Sequence, residues 1–173
     1  MSRPLVVFTP KSMLRAKAAT SEVEEFTDIT SFRSVINDPR LVDANNNVIG
    51  DADKVKTVML CSGKVYYELE KRRQKDERDD IAIVRIEMLH PIPFNRLSEA
   101  FDNFPNMEEV RFVQDEPANQ GPWPFYNEHL HELLPDMPRM RRISRRAQSS
   151  TATGIAKVHQ LEQKQLIDEA FAD

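Results

Sequence analysis

Residues 55–86 read VKTVMLCSGKVYYELEKRRQKDERDDIAIVRI, and this stretch decides the fold. An apolar, β-rich run from Val55 to Leu60 is followed by Ser62, which we expect to cap a helix. Residues 64–74 are rich in Glu, Lys and Arg, and this composition is typical of a helix. A charged turn then leads to a second apolar run at 81–86. Strand, helix and strand together predict a βαβ unit, whose two strands are parallel.

The rest of the chain continues the alternation of strands and helices. Apolar spacing predicts a helix over 95–103, a strand over 110–113 and a short helix over 128–134. A last strand over 140–143 and a final helix from about residue 156 complete the pattern. Alternation of this kind predicts the α/β class, with a mostly parallel sheet covered by helices on both faces in three layers.

Two segments do not fit the alternation. Residues 30–53 include the polar run Asn45–Asn47, which predicts a loop or an extension, and residues 147–156 predict a small, hydroxylic connector. The apolar run at 5–8 begins without a polar lead-in, so we expect a strand already under way there. We treat residues 1–173 as one domain of a larger protein.

Charge and cysteine content exclude several classes of protein. The chain of 173 residues carries 24 basic and 28 acidic side chains, a balance that argues against general affinity for nucleic acids or membranes. The single cysteine, Cys61, has no partner for an internal disulfide. A reducing, cytoplasmic setting is therefore expected.

Five stretches of sequence occur here in the order found in a known family. On them the chain resembles the C-terminal domain of the thiamine-diphosphate-dependent decarboxylating component of 2-oxoglutarate dehydrogenase. Residues 115–123 are most similar to the actinobacterial multifunctional form, and the resemblance extends from residue 3 to residue 171. The five stretches are FTPKSMLR at 8–15, SGKVYYEL at 62–69, VRIE at 84–87, DEPANQGPWPF at 115–125 and RISRRA at 142–147.

The resemblance implies a transketolase C-terminal-domain-like fold and a place in a homodimer. Members of the family decarboxylate 2-oxoglutarate on thiamine diphosphate and Mg²⁺, then pass the succinyl group to a lipoyl carrier. The domains that precede this one hold cofactor and substrate. By analogy, this chain contains no catalytic residue and is inactive alone. Its implied partners are those preceding domains, the dihydrolipoamide acyltransferase and dehydrogenase components, and a regulatory protein.

The resemblance to the actinobacterial form also implies part of an allosteric acetyl-CoA site. Ser34 and Arg96 match the family pattern. Ser31 stands where the family has a lysine, Met88 where it has a glutamine and Asn95 where it has a second arginine. Because charge-assisted contacts bind phosphate most strongly, these departures predict a weakened site. Only Ser34 and Arg96 are carried over as acetyl-CoA ligands.

The stretch after the predicted strand at 110–113 carries the densest group of polar residues. Asp115 and Glu116 have two interpretations, as a general acid and base or as acceptors of backbone hydrogen bonds, and we favour the second. In the same interpretation Asn119 and Gln120 bridge chain segments. Trp123 then seals a core or an interface.

Other polar clusters leave alternatives open. The turn Ser62-Gly63-Lys64 is either an anion site at a helix start or a plain cap, and we favour the cap. No metal site is predicted, because histidines two apart, such as His129 and His131, diverge on a helix. The arginines between Arg139 and Arg146 either bind a phosphate or an acidic partner or pair with the chain's own carboxylates.

Three functions follow from these interpretations. The first is the dimer-supporting and regulatory domain of the 2-oxoglutarate decarboxylating component. The second is a free-standing module that binds an acyl-CoA or a nucleotide. The third is a protein-docking domain that uses Trp123 and the basic strand.

Overall fold

The computed structural model describes residues 4–27 and 32–172, which divide into two compact units between Phe32 and Arg33. The first unit contains a short helix, α1 (Val23–Thr27), and none of its described side chains is buried. The predicted strand at 5–8 is wrong: these four residues form no strand, and their side chains are 69% to 96% exposed. Among the described residues no neighbouring strand pairs with them, so an extended run gains no ladder of hydrogen bonds there.

The second unit is built on a sheet, which within residues 33–172 has five strands in the order β1-β3-β2-β4-β5. β1 is antiparallel to β3, and the other neighbours are parallel. The predicted α/β class with a mostly parallel sheet is confirmed. The strands are β1 (Val35–Ile36), β2 (Thr57–Cys61), β3 (Ile81–Ile86), β4 (Glu109–Pro117) and β5 (Met140–Arg145).

Helices cover both faces of this sheet. The four α-helices of the described part of this unit are α2 (Val65–Lys75), α3 (Phe94–Phe101), α4 (Trp123–Leu133) and α5 (Ala156–Ala170). α3 and α4 pack their apolar faces on one side of the sheet, where Phe112 and Tyr126 belong to the same buried cluster. α2 and α5 pack on the other side, around Leu69, Ile83 and Leu166. The predicted three layers are therefore present.

The βαβ unit forms as the sequence predicts, with one correction. β2 and β3 pair in parallel, with Thr57 opposite Ile81 and Cys61 opposite Arg85. Every residue of β2 is buried, as expected for a strand covered on both faces. Ser62 does not cap α2: the helix begins at Val65, and the preceding residue has no side-chain cap bond. Gly63, at φ 73°, adds a turn between the strand and the helix.

β4 and α4 are longer than their sequence patterns indicate. β4 runs to Pro117, so Asp115 and Glu116 lie in the strand and not in a loop. The pairing with β5 breaks after Val113 and resumes at Pro117, opposite Arg145. α4 begins at Trp123, ahead of the predicted start, because a proline fits the first turn of a helix.

Residues 33–54 extend from the outer side of β3 to α3 and the loop before β4. β1 pairs with the end of β3, and a bridge joins Val42 to Val48 across the polar turn at 45–47. Between these features lies Asp38, whose side chain is fully buried. The segment predicted as a loop thus also contributes a short strand and a buried charge.

A buried ion pair connects this segment to the βαβ unit. Arg73 of α2 donates to both carboxylate oxygens of Asp38, and both side chains are 0% exposed. Asp38 also accepts the backbone N–H of Ile83 at 2.9 Å, while Arg73 donates to the carbonyl of Ile81 at 3.2 Å. Glu70 accepts a further bond from Arg73. Three separate parts of the chain meet in this cluster.

Asp38→Ala is expected to lower the free energy of unfolding by about 3–5 kcal/mol, because it leaves the buried Arg73 without its main carboxylate. Urea denaturation measures the change. The control is Asp79→Ala: Asp79 pairs with Arg40 at 3.4 Å, but its side chain is 72% exposed. The control is expected to cost at most about 1 kcal/mol. Equal losses in the two variants would contradict a stabilising role for the buried pair.

Candidate functional site

The strand order reverses direction at β2, so that the carboxyl ends of β2 and β4 flank the point of reversal. β3 and β4 lie on opposite sides of β2, and α2 and α3, which precede them, pack on opposite faces of the sheet. Such a reversal opens a crevice outside the strand ends, and open parallel sheets bind ligands there. We therefore regard this edge as the candidate site.

The crevice between β2 and β4 is closed by the chain's own charges. The Nζ of Lys64 lies 2.8 Å from Oδ2 of Asp115 and 3.7 Å from Oε1 of Glu68. Gln163 of α5 donates from Nε2 to Oδ1 of Asp115 at 2.7 Å. The lysine that an anion site would need is thus neutralised by carboxylates. Asp115 joins β4 to α2 and α5, in an arrangement that restricts its motion.

Gln114 organises the turn that follows β4, and the sequence analysis missed it. Its side chain is 2% exposed. Nε2 donates to the carbonyls of Pro117 at 3.0 Å and Gln120 at 2.8 Å, and Oε1 accepts the N–H of Trp123 at 2.9 Å. The missed signal was alternation: Gln114 follows Val110 and Phe112 at a spacing of two, on the buried face of a strand.

Asn119 and Gln120 connect this turn to the segment after β5. Asn119 donates to the carbonyl of Gln148 at 3.0 Å and accepts its N–H at 3.1 Å. Gln120 donates to the same carbonyl at 3.0 Å and to that of Ser150 at 3.2 Å. Both amides therefore bridge two segments of chain, and neither points into the crevice closed by Lys64.

A tight approach of backbone to side chains fixes the end of the turn. Gly121 has φ 70°, and a Cβ there would lie 2.9 Å from the Cβ of Glu116 and 3.0 Å from Oε1 of Gln114. Both the backbone conformation and the space require glycine. This places Pro122 and Trp123 at the start of α4.

Trp123 and Glu116 lie in different surroundings. Trp123 is 9% exposed and packs in the core against Phe112, with 5.8 Å between ring centroids. Glu116 is exposed and lines a cavity of about 390 Å³ with Leu89 and Phe125. Glu116 is thus a surface carboxylate and Trp123 a core aromatic of this unit.

Ser34 and Arg96 both lie near the carboxyl end of β3. The carbonyl of Ser34 accepts the backbone N–H groups of Glu87 at 2.9 Å and Met88 at 3.2 Å. Arg96 is in the first turn of α3, and its guanidinium pairs with Glu99 at 2.7 Å. The structure thus brings Ser34 against Met88, while it directs Arg96 to a carboxylate of its own helix. Ser31 lies outside the described residues.

The arginines around β5 have different roles. Arg145 is 6% exposed and donates to Gln163 at 2.7 Å. Arg141 lies 3.7 Å from Glu109, and the guanidinium of Arg142 lies 5.8 Å from the ring centroid of Trp123. Arg139 and Arg146 are exposed at the two ends of the strand. One arginine is therefore a core group, and four face the surface.

Two further side chains with reactive groups, Cys61 and His129, lie in apolar or aromatic surroundings. Cys61 is fully buried, and burial raises the pKa of its thiol to about 12. His129 packs its ring on Phe125, with centroids 4.8 Å apart. In the described ranges 4–27 and 32–172, no group of three or more His, Cys, Asp or Glu side chains is placed to hold a metal ion. The same residues form no helix long and apolar enough to cross a membrane.

Fold and site together define a doubly wound α/β domain of the transketolase C-terminal type, whose ligand crevice is filled by its own ion pairs. The chain belongs to the 2-oxoglutarate dehydrogenase C-terminal family, whose sequence model matches residues 20–171. The resemblance drawn from the five sequence stretches is thereby confirmed.

Relatives cover nearly the whole chain. It is 73% identical over 171 residues, 99% of its length, to the 2-oxoglutarate dehydrogenase E1/E2 component of Corynebacterium glutamicum. It is 53% identical over 173 residues to the multifunctional 2-oxoglutarate metabolism enzyme of Mycobacterium sp. strain KMS, again over 99% of the chain. The chain spans only 13% of the length of either relative.

Gln114→Leu is expected to lower the free energy of unfolding by about 1–3 kcal/mol, because it leaves the N–H of Trp123 and nearby carbonyls unpaired. Thermal and urea unfolding measure the loss. Gln165→Leu, at an exposed position of α5, is the matched control and is expected to change stability by less than about 0.5 kcal/mol. A loss no larger than that of the control would show that the turn does not depend on Gln114.

Proposed function

We propose that this chain is the C-terminal, dimer-supporting and regulatory domain of a cytoplasmic 2-oxoglutarate dehydrogenase and does not catalyse the reaction alone. The observation that carries the proposal is 73% identity, over 99% of the chain, to a protein named as the E1/E2 component of that enzyme. The paired groups at the carboxyl edge support a structural role for this part of the enzyme.

The complete enzyme would decarboxylate 2-oxoglutarate with thiamine diphosphate and Mg²⁺ and pass the succinyl group to a lipoyl carrier. The described residues do not fit this cofactor. Asp115, a carboxylate at the ligand edge, is already bound by Lys64 and Gln163, and no cluster of metal ligands occurs in residues 4–27 and 32–172. We therefore propose that the preceding domains hold the cofactor and the substrate. We propose the acyltransferase and dehydrogenase components as partners of the enzyme.

An apolar stripe on α5 supports a place in a larger assembly. Ile155, just before the helix, and Val158 and Leu161 within it are 64%, 38% and 56% exposed. Their spacing of three puts them along one side of the helix, roughly opposite the buried Ile167. The rest of the described chain leaves this stripe uncovered, as expected if other domains or a second subunit pack there.

The proposal is tested by exchange of the homologous region in the Corynebacterium glutamicum relative. A hybrid enzyme that carries this chain is expected to dimerise and to decarboxylate 2-oxoglutarate at a rate comparable to the parent, because 73% identity preserves the packing surfaces. An enzyme truncated before this region is expected to lose both properties. Decarboxylation assays and sedimentation velocity measure them. Full activity of the truncated enzyme would contradict the proposal, as would an inactive hybrid that is folded and dimeric.

The regulatory part of the proposal rests on Ser34 and Arg96. Both lie near the carboxyl end of β3, and Arg96 is 67% exposed in its side chain. Acetyl-CoA carries phosphates, which a guanidinium binds through paired hydrogen bonds. In the structure Glu99 occupies that guanidinium. A phosphate would therefore have to compete with Glu99 for Arg96.

Two variants of the full-length enzyme are expected to act in opposite directions. Arg96→Ala is expected to raise the acetyl-CoA concentration for half-maximal activation by about tenfold, because the variant loses one charge-assisted contact to phosphate. Glu99→Gln is expected to lower that concentration, because it releases Arg96. Basal decarboxylation is expected to stay unchanged in both, as measured by initial rates at varied acetyl-CoA. Unaltered activation in both variants would exclude this site but leave the domain assignment intact.

A second candidate is a self-contained module that binds an acyl-CoA or a nucleotide. A groove of about 510 Å³ between α2 and α5 favours it, since Lys71 and Lys75 lie along its walls, which also hold Glu68 and the ion pair of Lys164 with Asp168. Calorimetric titration separates the two candidates. Acetyl-CoA binding by the isolated chain favours the module, and binding by the full-length enzyme alone favours the shared regulatory site.

A further inference from the structure

β5 is an outer strand of the sheet, with one edge open. It pairs with β4 on one side, and within residues 33–172 no strand lies on the other side. The carbonyl of Arg145 accepts the N–H of Ala118, on the β4 side, at 2.9 Å. Because backbone groups of successive strand residues point to alternate sides, the N–H and C=O groups of Arg142 and Ser144 point to the open edge. An open edge of this kind can pair with another strand.

Arginines surround the open edge on both faces of the sheet. Arg142 lies on the face of α4, over Trp123, and Arg141 lies on the opposite face, where it reaches Glu109 at 3.7 Å. Arg139 and Arg146 add an exposed cation at each end of the strand. The whole chain has a net charge of −4, yet four exposed arginines gather at this edge, and Glu109 is the carboxylate that pairs with one of them, Arg141. The edge therefore has the electrostatic character of a surface for an acidic partner.

We propose that the open edge of β5 binds an acidic, extended segment of a partner protein, which adds to the sheet as a further strand. The outward groups of Arg142 and Ser144 would form the new ladder of hydrogen bonds. Acidic side chains of the added strand, alternating between its two faces, would lie opposite Arg142 on one face and Arg141 on the other. Backbone bonds supply affinity in this mode of recognition, and the side chains supply specificity.

The observations favour this occupant over two others. A second copy of β5 would place arginine against arginine, which like-charge repulsion opposes. A phosphate group would use the guanidinium groups but leave the open ladder unpaired. The inference goes beyond the proposed function, since it needs neither the dimer nor the activator site.

The experiment uses an acetylated, fluorescein-labelled peptide in which pairs of glutamates alternate with pairs of valines, matched in length to β5, because such a strand presents glutamate on both faces. Fluorescence anisotropy with the 173-residue protein is expected to show saturable binding. A peptide with lysine in place of glutamate is expected not to bind. A third peptide keeps every glutamate but is N-methylated at the amides that would face β5, and it is expected to bind at least about tenfold more weakly.

Variants of the protein locate the contact. Arg142→Glu is expected to weaken binding by about tenfold or more, through loss of one ion pair and gain of a repulsive contact. Lys75→Glu makes the same change of charge on α2 and is expected to leave binding unaltered. Hydrogen exchange provides the sharpest readout. On binding, the amides of Arg142 and Ser144 are expected to gain protection, whereas those of Arg141 and Ile143 are already in the ladder with β4.

Three outcomes would overturn the proposal. Equal affinity for the acidic peptide and its N-methylated form would show that the peptide is held by charge alone and forms no backbone ladder. Inorganic polyphosphate that displaces the peptide and binds as tightly as it does would identify a phosphate site. Weakened binding in Lys75→Glu equal to that in Arg142→Glu, with no new protection of Arg142 or Ser144, would show that the peptide does not add to β5.

Discussion

The buried pair of Asp38 and Arg73 is the interaction on which the sheet domain depends. It joins the segment before β2 to α2, and the further bonds to Ile81 and Ile83 extend it to β3. An ion pair without water is stable only when both partners and their remaining hydrogen bonds are present. The pair therefore makes three separate parts of the chain interdependent. It also fixes the position of the short outer strand, which two residues of β-ladder alone would hold weakly.

The carboxyl edge shows the same use of charge for a different purpose. A doubly wound sheet offers a crevice between β2 and β4, yet Lys64, Asp115 and Gln163 occupy it with contacts to one another. The turn after β4 is likewise held by Gln114, Asn119 and Gln120 through backbone groups. The sequence pattern allowed a catalytic interpretation of the polar residues at this edge. In the structure their side chains hold segments of the chain in place. This agrees with the structural role proposed for the domain.

The sequence predicted the parts of the fold that depend on local periodicity. β2, α2, β3 and α5 follow from runs of apolar or helix-forming residues, and the structure has them where they were expected. The failures have a common physical cause. The run at 5–8 has the composition of a strand but lacks a partner among the described residues, and Asp115 extends β4 because pairing with β5 resumes beyond a break. Contacts between residues that are distant in the chain decide whether these runs form strands. Such contacts cannot be inferred from the local pattern of a single sequence. Arg73 is a further example. The sequence does not distinguish it from its neighbour Arg72, but in the structure Arg73 pairs with the buried Asp38 and Arg72 pairs with Asp76.

The single cysteine gives the protein a practical property. Cys61 ends the central strand of the sheet with no exposed surface, and its thiol stays protonated at neutral pH because burial raises its pKa to about 12. A thiol in that state does not react with maleimides or other alkylating reagents, since the thiolate is the nucleophile. A cysteine introduced at an exposed position would then carry the label alone. Distances to a fluorophore or a spin label can be measured in this domain without removal of the native residue.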